Sequence, residues 1–185
     1  VLTFPTADKT WVYDVSSGMW HERASYDSAT GTFHRDSASC FCNFQNLRMV
    51  GDYRAQVISY LSRTEYTDAG APLIALRRCP HLSSKENRER LFHSSLQVEF
   101  APGVGLHVGQ GVNPQAMMRF SDDAGTTFGT VRTTTIGAAG RYKNRAMWRR
   151  LGVARDRVYE VSISDPVRRD VVGATLYAEA TEAVA

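Results

Sequence analysis

Apolar and polar residues alternate along most of this chain with a period of two, in short runs. WVYDV (11–15) and MWHERAS (19–25) flank the turn SSG and predict a hairpin, and YDSATGTF (26–33) repeats that layout at once. SASCFCNF (37–44) alternates small and large side chains and reads as a buried strand. Residues 47–50 and 56–61 read as partner strands joined across 51–55, and PLIALRR (72–78) as a strand that begins at a tolerated proline. The one helical expectation covers 81–90, where Ser83 and Glu86 fit a capping box and KENRERLF is rich in helix formers. No long apolar stripe supports that segment, so a turn or two is expected.

Strand character resumes at 94–101, where Leu96, Val98 and Phe100 alternate with polar residues. Glycines 103, 105, 109 and 111 punctuate the following loop. That loop lacks the strand, Gly-x-Gly-x-x-Gly, helix order and any Lys-Ser/Thr, which excludes a phosphate-binding reading. QAMMRFS (115–121) leads into a turn that 127–134 leaves. Residues 146–151 are expected to pair with 159–163 across LGVARD, and a last strand over 171–177 precedes a small acidic tail, 179–185, expected to be flexible. About a dozen short strands with frequent turns make an all-β chain: sandwich, barrel or propeller.

The turn SDDAGTTF (121–128) is the sharpest local motif. Gly125 stands where a tight turn needs a positive φ, while Ser121 and Asp123 carry short acceptors that can bond the turn's own N–H groups, and Phe128 can pack on the hairpin flank. The spacing Ser121-x-Asp123-x-Gly125-x-Thr127-Phe128 resembles the Asp-box of sialidase-like β-propellers, and YDVSSGMW resembles a kelch-type blade. These resemblances imply a single propeller-like domain over 1–178, with a length equal to roughly four blades. A complete small propeller and the end of a larger one both fit.

Composition narrows the function more than the fold. At 185 residues the chain supports one sizeable core, carries a net charge of +3 and has no stretch that approaches a membrane span. That charge does not announce a nucleic-acid binder. No secretory signal is visible, and the chain opens on Val, which fits a processed chain or a piece of something longer. Cys40, Cys42 and Cys79 are an odd number without a Cys-x-x-Cys pair; they read as buried free thiols rather than a disulfide framework or, with His81, a metal site. The basic residues are lopsided, with 19 arginines against three lysines. Arg141, Arg145, Arg149, Arg150, Arg155 and Arg157 surround Tyr142 and Trp148, a candidate assembly interface because Arg and aromatics anchor protein contacts. A second reading is contact with a nucleic-acid backbone, and the bland alternative is a solvated hairpin whose arginines pair with Asp156, Glu160 and Asp165. A sialidase would need a Tyr activated by a Glu, but Tyr159 and Glu160 are strand neighbours and point to opposite faces. No catalytic residue, cofactor or metal is assigned.

From 92 to 174 the wording resembles the packaged-DNA stabilisation, or tail hub, proteins of short-tailed bacteriophages. The phrases are NPQAMMRFSDDAGTTFG and IGAAGRYKNRAMWRRLGVARDRVYEVSISDPV, with Asn113 for the family's Asp and Phe128 for its usual Trp. The resemblance implies the C-terminal portion of a non-enzymatic virion subunit, a ring (typically a hexamer) below the portal and adaptor. It implies a ring that extends the DNA channel, helps retain the genome with transient DNA contact, and carries the tail needle, tailspikes or fibres, assembled in the host cytoplasm. A sialidase-like glycan-processing propeller and a kelch-like adaptor are the competing readings.

Overall fold

The computed structural model describes residues 1–84 and 89–180. Where the sequence predicts one domain over 1–178, the chain divides into two compact units, Val1–Leu73 and Ile74–Ala185. The described residues hold strands and turns and no helix.

The first unit is built of strands that pair in sequence order. β1 (Leu2–Phe4), β2 (Lys9–Asp14), β3 (Met19–Asp27) and β4 (Thr32–Arg35) form a four-stranded antiparallel meander. The two hairpins predicted over 11–33 are therefore present, with Tyr13 against Trp20 and Tyr26 against Phe33 at equal positions beside each turn. β5 (Ala38–Phe44), β6 (Leu47–Asp52) and β7 (Ile58–Tyr60) form a second meander, and β8 (Thr67–Asp68) pairs with β9 (Ala71–Pro72). β5 is not the buried strand its alternation suggests. Phe41 and Phe44 are 59% and 58% exposed, and Cys40 and Cys42 are exposed free thiols.

The second unit pairs strands that lie far apart in sequence. β10 (Ala75–Arg78), β11 (Leu82–Ser83), β12 (Leu91–Phe100), β13 (Gln115–Ser121), β14 (Arg132–Thr135), β15 (Ala146–Ala154), β16 (Asp156–Ile163) and β17 (Val171–Ala180) make two sheets. One has the order β10-β16-β13-β14, with β11 also on β16; the other has the order β15-β12-β17. Leu96, Val98 and Phe100 from β12 and Ala146, Trp148 and Leu151 from β15 share one core with Met118 of β13 and Tyr159 and Ile163 of β16. Two sheets with their apolar faces turned to a common core are a sandwich.

This corrects the propeller-like expectation for the second unit. A propeller blade needs sequence-consecutive strands, whereas from β10 to β17 the chain passes back and forth between two sheets. The expected hairpin between 146–151 and 159–163 does not form. β15 pairs with β12 and β16 with β10 and β13, because the chain crosses between sheets at Arg155. No Asn-Gly or Asp-Gly pair is available there to close a tight hairpin, and splitting the strands lets Trp148 and Tyr159 enter the core from opposite sides. The helical expectation over 81–90 is replaced at its start by strand, Leu82 and Ser83 pairing with Arg157 and Asp156. Its centre, including Glu86, lies outside the described residues. Glu179 and Ala180, expected in a flexible tail, are paired with Phe92 and Leu91; 181–185 lie outside the described residues.

Candidate functional site

The turn after β13 is held by its own side chains. The buried Ser121 hydroxyl donates to Asp123 and accepts the Gly125 N–H at 2.9 Å. The Asp123 carboxylate accepts the Thr127 N–H at 2.8 Å and the Thr127 hydroxyl at 2.6 Å. The Ser121 and Thr127 bonds favour the charged form and hold the Asp123 carboxyl at about 2, below the ordinary 3.8. Gly125 takes φ +85°, as expected, and Ala124 beside it takes φ +60°, which an L side chain adopts only at a cost. The Asp-box wording thus encodes a self-bonded turn, here carried by a sandwich.

The turn folds Phe128 back over the outer face of the larger sheet. One cross-strand row lies beneath it: Arg78, Glu160 and Arg119 stand opposite one another on β10, β16 and β13. Both arginines bond Glu160 through Nε, and their guanidinium carbons lie 4.9 Å and 4.8 Å from the centre of the Phe128 ring. The Glu160 side chain is only 2% exposed, its charge compensated from both sides. Tyr159 turns the other way, with its hydroxyl 3.0 Å from Nδ1 of buried His93. The Tyr–Glu neighbours therefore face opposite sides of the sheet.

The arginine cluster separates into an inner and an outer set. Arg157 and Trp148 are interior. The Arg157 guanidinium bonds Asp122 through Nε and Nη2 at 2.6 and 2.8 Å, donates to the Leu151 carbonyl at 2.6 Å, and sits 4.1 Å over the Phe120 ring. Trp148 donates Nε1–H to the Arg132 carbonyl at 2.9 Å. These two are packing residues of the sandwich and cannot serve as surface anchors.

The remaining members are exposed. Arg141 lies in the turn before β15, and Tyr142 lies across Gly103, where a Cβ would come within 2.6 Å of its ring. Arg145 approaches Glu99 at 3.9 Å, and Arg149 donates Nε–H to the Met147 sulfur. Arg150 occupies a β-bulge with φ +58°. Arg155 borders a shallow groove with Arg90 and Asp122. None pairs with Asp156, Glu160 or Asp165: Asp156 bonds His81, Glu160 holds Arg78 and Arg119, and Asp165 accepts from Gln110 and the Gln115 N–H. Sequence reasoning missed the Arg78–Glu160–Arg119 row, because these residues meet only once the register of three distant strands is set. Asp122 carried a signal, being the first acid of the Ser-Asp-Asp phrase.

Cys79 is half-buried and its sulfur accepts the Tyr159 N–H, while Cys40 and Cys42 lie in the first unit. Among the described residues no group of three His, Cys, Asp or Glu side chains is arranged to hold a metal ion.

Comparison with known proteins agrees with this architecture. No curated protein matches the chain. Residues 78–179, more than half of the chain, match the family model described as bacteriophage P22 Gp10, beta-sandwich. The match begins in β10 and ends in β17, so it coincides with the two-sheet unit. The chain therefore belongs to the P22 Gp10 family of phage tail hub, or packaged-DNA stabilisation, proteins, and the matched segment is that family's β-sandwich.

Proposed function

We propose that this chain is part of a structural virion subunit that forms a ring below the portal and adaptor, extends the DNA channel and helps retain packaged DNA. The family match over 78–179 carries this reading. The ring is read as a hexamer of identical copies that also meets the needle and the tailspike or fibre proteins, with only transient contact to DNA. Assembly takes place in the host cytoplasm. Arg141, Tyr142, Arg145, Arg149, Arg150 and Arg155 are its assembly surface: exposed side chains on and next to β15, able to make bidentate and stacked contacts with protein carboxylates and rings. A channel lined by so many arginines would grip the phosphate backbone too firmly for ejection, which argues for protein contacts at most of these positions.

Electron microscopy of the full-length protein, alone and mixed with portal-bearing capsids, tests the proposal. Rings docked at a single capsid vertex are expected. Monomers that never join a capsid would overturn it.

A further inference from the structure

Among the described residues two long strand edges are left open. β17 pairs only with β12, and β5 pairs only with β6. An open edge offers a row of main-chain N–H and C=O groups to any extended strand, and proteins ordinarily blunt such edges with charge, proline or brevity. Among the described residues the other sheet-end strands are short or charged. β1 and β7 have three residues each, β4 and β14 have four each and carry Arg35 and Arg132, and β10 ends in Arg77 and Arg78. β15 is tied to β14 through the Trp148 and Arg132 bonds. β5, with seven residues, has no charged side chain and no proline, and β17, with ten, carries only Glu179 near its end.

The two edges lie on units of opposite charge. Residues 1–73 hold eight carboxylates and six basic side chains, a net −2, while 74–185 hold eleven and sixteen, a net +5. Two sandwich units would repel each other, whereas the first unit of one copy attracts the second unit of another. We infer that β17 of one copy pairs with β5 of a second copy, joining successive subunits by a shared sheet. Because the two edges are different surfaces, the contact is head-to-tail and repeats around a ring. The inference rests on the ring reading above and adds a main-chain contact between copies to the arginine surface proposed there.

The native thiols of Cys40 and Cys42 on β5 provide the probe. A full-length Thr175→Cys chain, assembled and mildly oxidised, is expected to give a ladder of covalent multimers on a non-reducing gel. Adding Cys40→Ser and Cys42→Ser should abolish the ladder. Independently, Val172→Lys with Ala178→Lys on exposed positions of β17 should raise the concentration needed for assembly at least tenfold, with the monomer's thermal melt unchanged within a few degrees. Rings that form normally without the cross-link and despite the lysines would overturn this pairing and leave the ring reading standing. A cross-link confined to monomers would overturn it too. If the unmodified chain forms no rings, the ring reading itself fails and takes the pairing with it.

Discussion

Removing Asp122 should cost more stability than removing the arginine it holds. In Asp122→Ala the Arg157 guanidinium, 2% exposed in the native chain, stays charged and keeps the Leu151 carbonyl and the faces of Phe120 and Tyr159 as partners. Breaking a buried pair from one side costs about 3–5 kcal/mol. The Asp122 side chain is 46% exposed, so water reaches the vacated side of the guanidinium, and the expected loss falls to about 2–3 kcal/mol. Arg157→Met removes the buried charge and leaves Asp122 free to hydrate. Its cost is chiefly the stranded Leu151 carbonyl, roughly 1–2 kcal/mol. The double variant should resemble Arg157→Met alone, because once the cation is gone Asp122 has little left to do. Two-state urea unfolding followed by Trp148 fluorescence, with Trp11→Phe and Trp20→Phe as background, measures all four corners of the cycle. An Asp122→Ala loss below about 0.5 kcal/mol, or a double variant equal to the sum of the singles, would refute the reasoning.

Three further outcomes follow from the same geometry. Gly125→Ala should destabilise the sandwich by about 1–2 kcal/mol because φ is +85°, whereas Ala124→Gly should be neutral or stabilising by up to about 1 kcal/mol; thermal melts decide both signs. Burial pushes the His93 imidazole below its ordinary value of 6.5, so the unfolded chain takes up a proton there that the folded chain resists. Stability should be full above that value and fall as the pH drops below it, and His93→Phe should flatten the unfolding midpoint between pH 7.5 and 5. Arg149→Glu with Arg150→Glu should impair ring assembly more than genome retention in particles that do assemble; normal assembly with leaking genomes, scored by microscopy and nuclease sensitivity, would refute the assembly role.

Local chemistry was legible in the sequence and long-range pairing was not. The Ser121–Thr127 turn could be drawn from residue types alone, since each of its bonds spans at most four residues. β13 matches its predicted extent, and Leu96, Val98 and Phe100 face the core as their alternation requires. The partners of β15 and β16 could not be read, because adjacency in sequence favours a hairpin while the core demands that Trp148 and Tyr159 approach from different sheets. β5 misled for a related reason: alternating size marks a strand and leaves open what covers it. The resemblance to the tail hub family carried the family correctly, and the Asp-box and kelch wording carried single turns and hairpins without the radial fold they accompany elsewhere. Among the candidate interface residues, Arg157 and Trp148 looked like their exposed neighbours on paper; only the placement of Asp122 and Arg132 draws them inward.

The central position of β12 also sets a schedule for making the protein. Both of its neighbours in the sheet, β15 and β17, are synthesised long after it. A nascent chain leaving the ribosome therefore carries β12 with one edge bare until Ala154 has emerged and the other until Ala180, since Leu91 at its start pairs with both residues. Contacts so distant along the chain make folding slow, and the waiting strand is open to misassociation meanwhile. A transcript that stops before Val171 should yield insoluble protein, and slowing translation should favour aggregation unless a chaperone occupies the exposed strand.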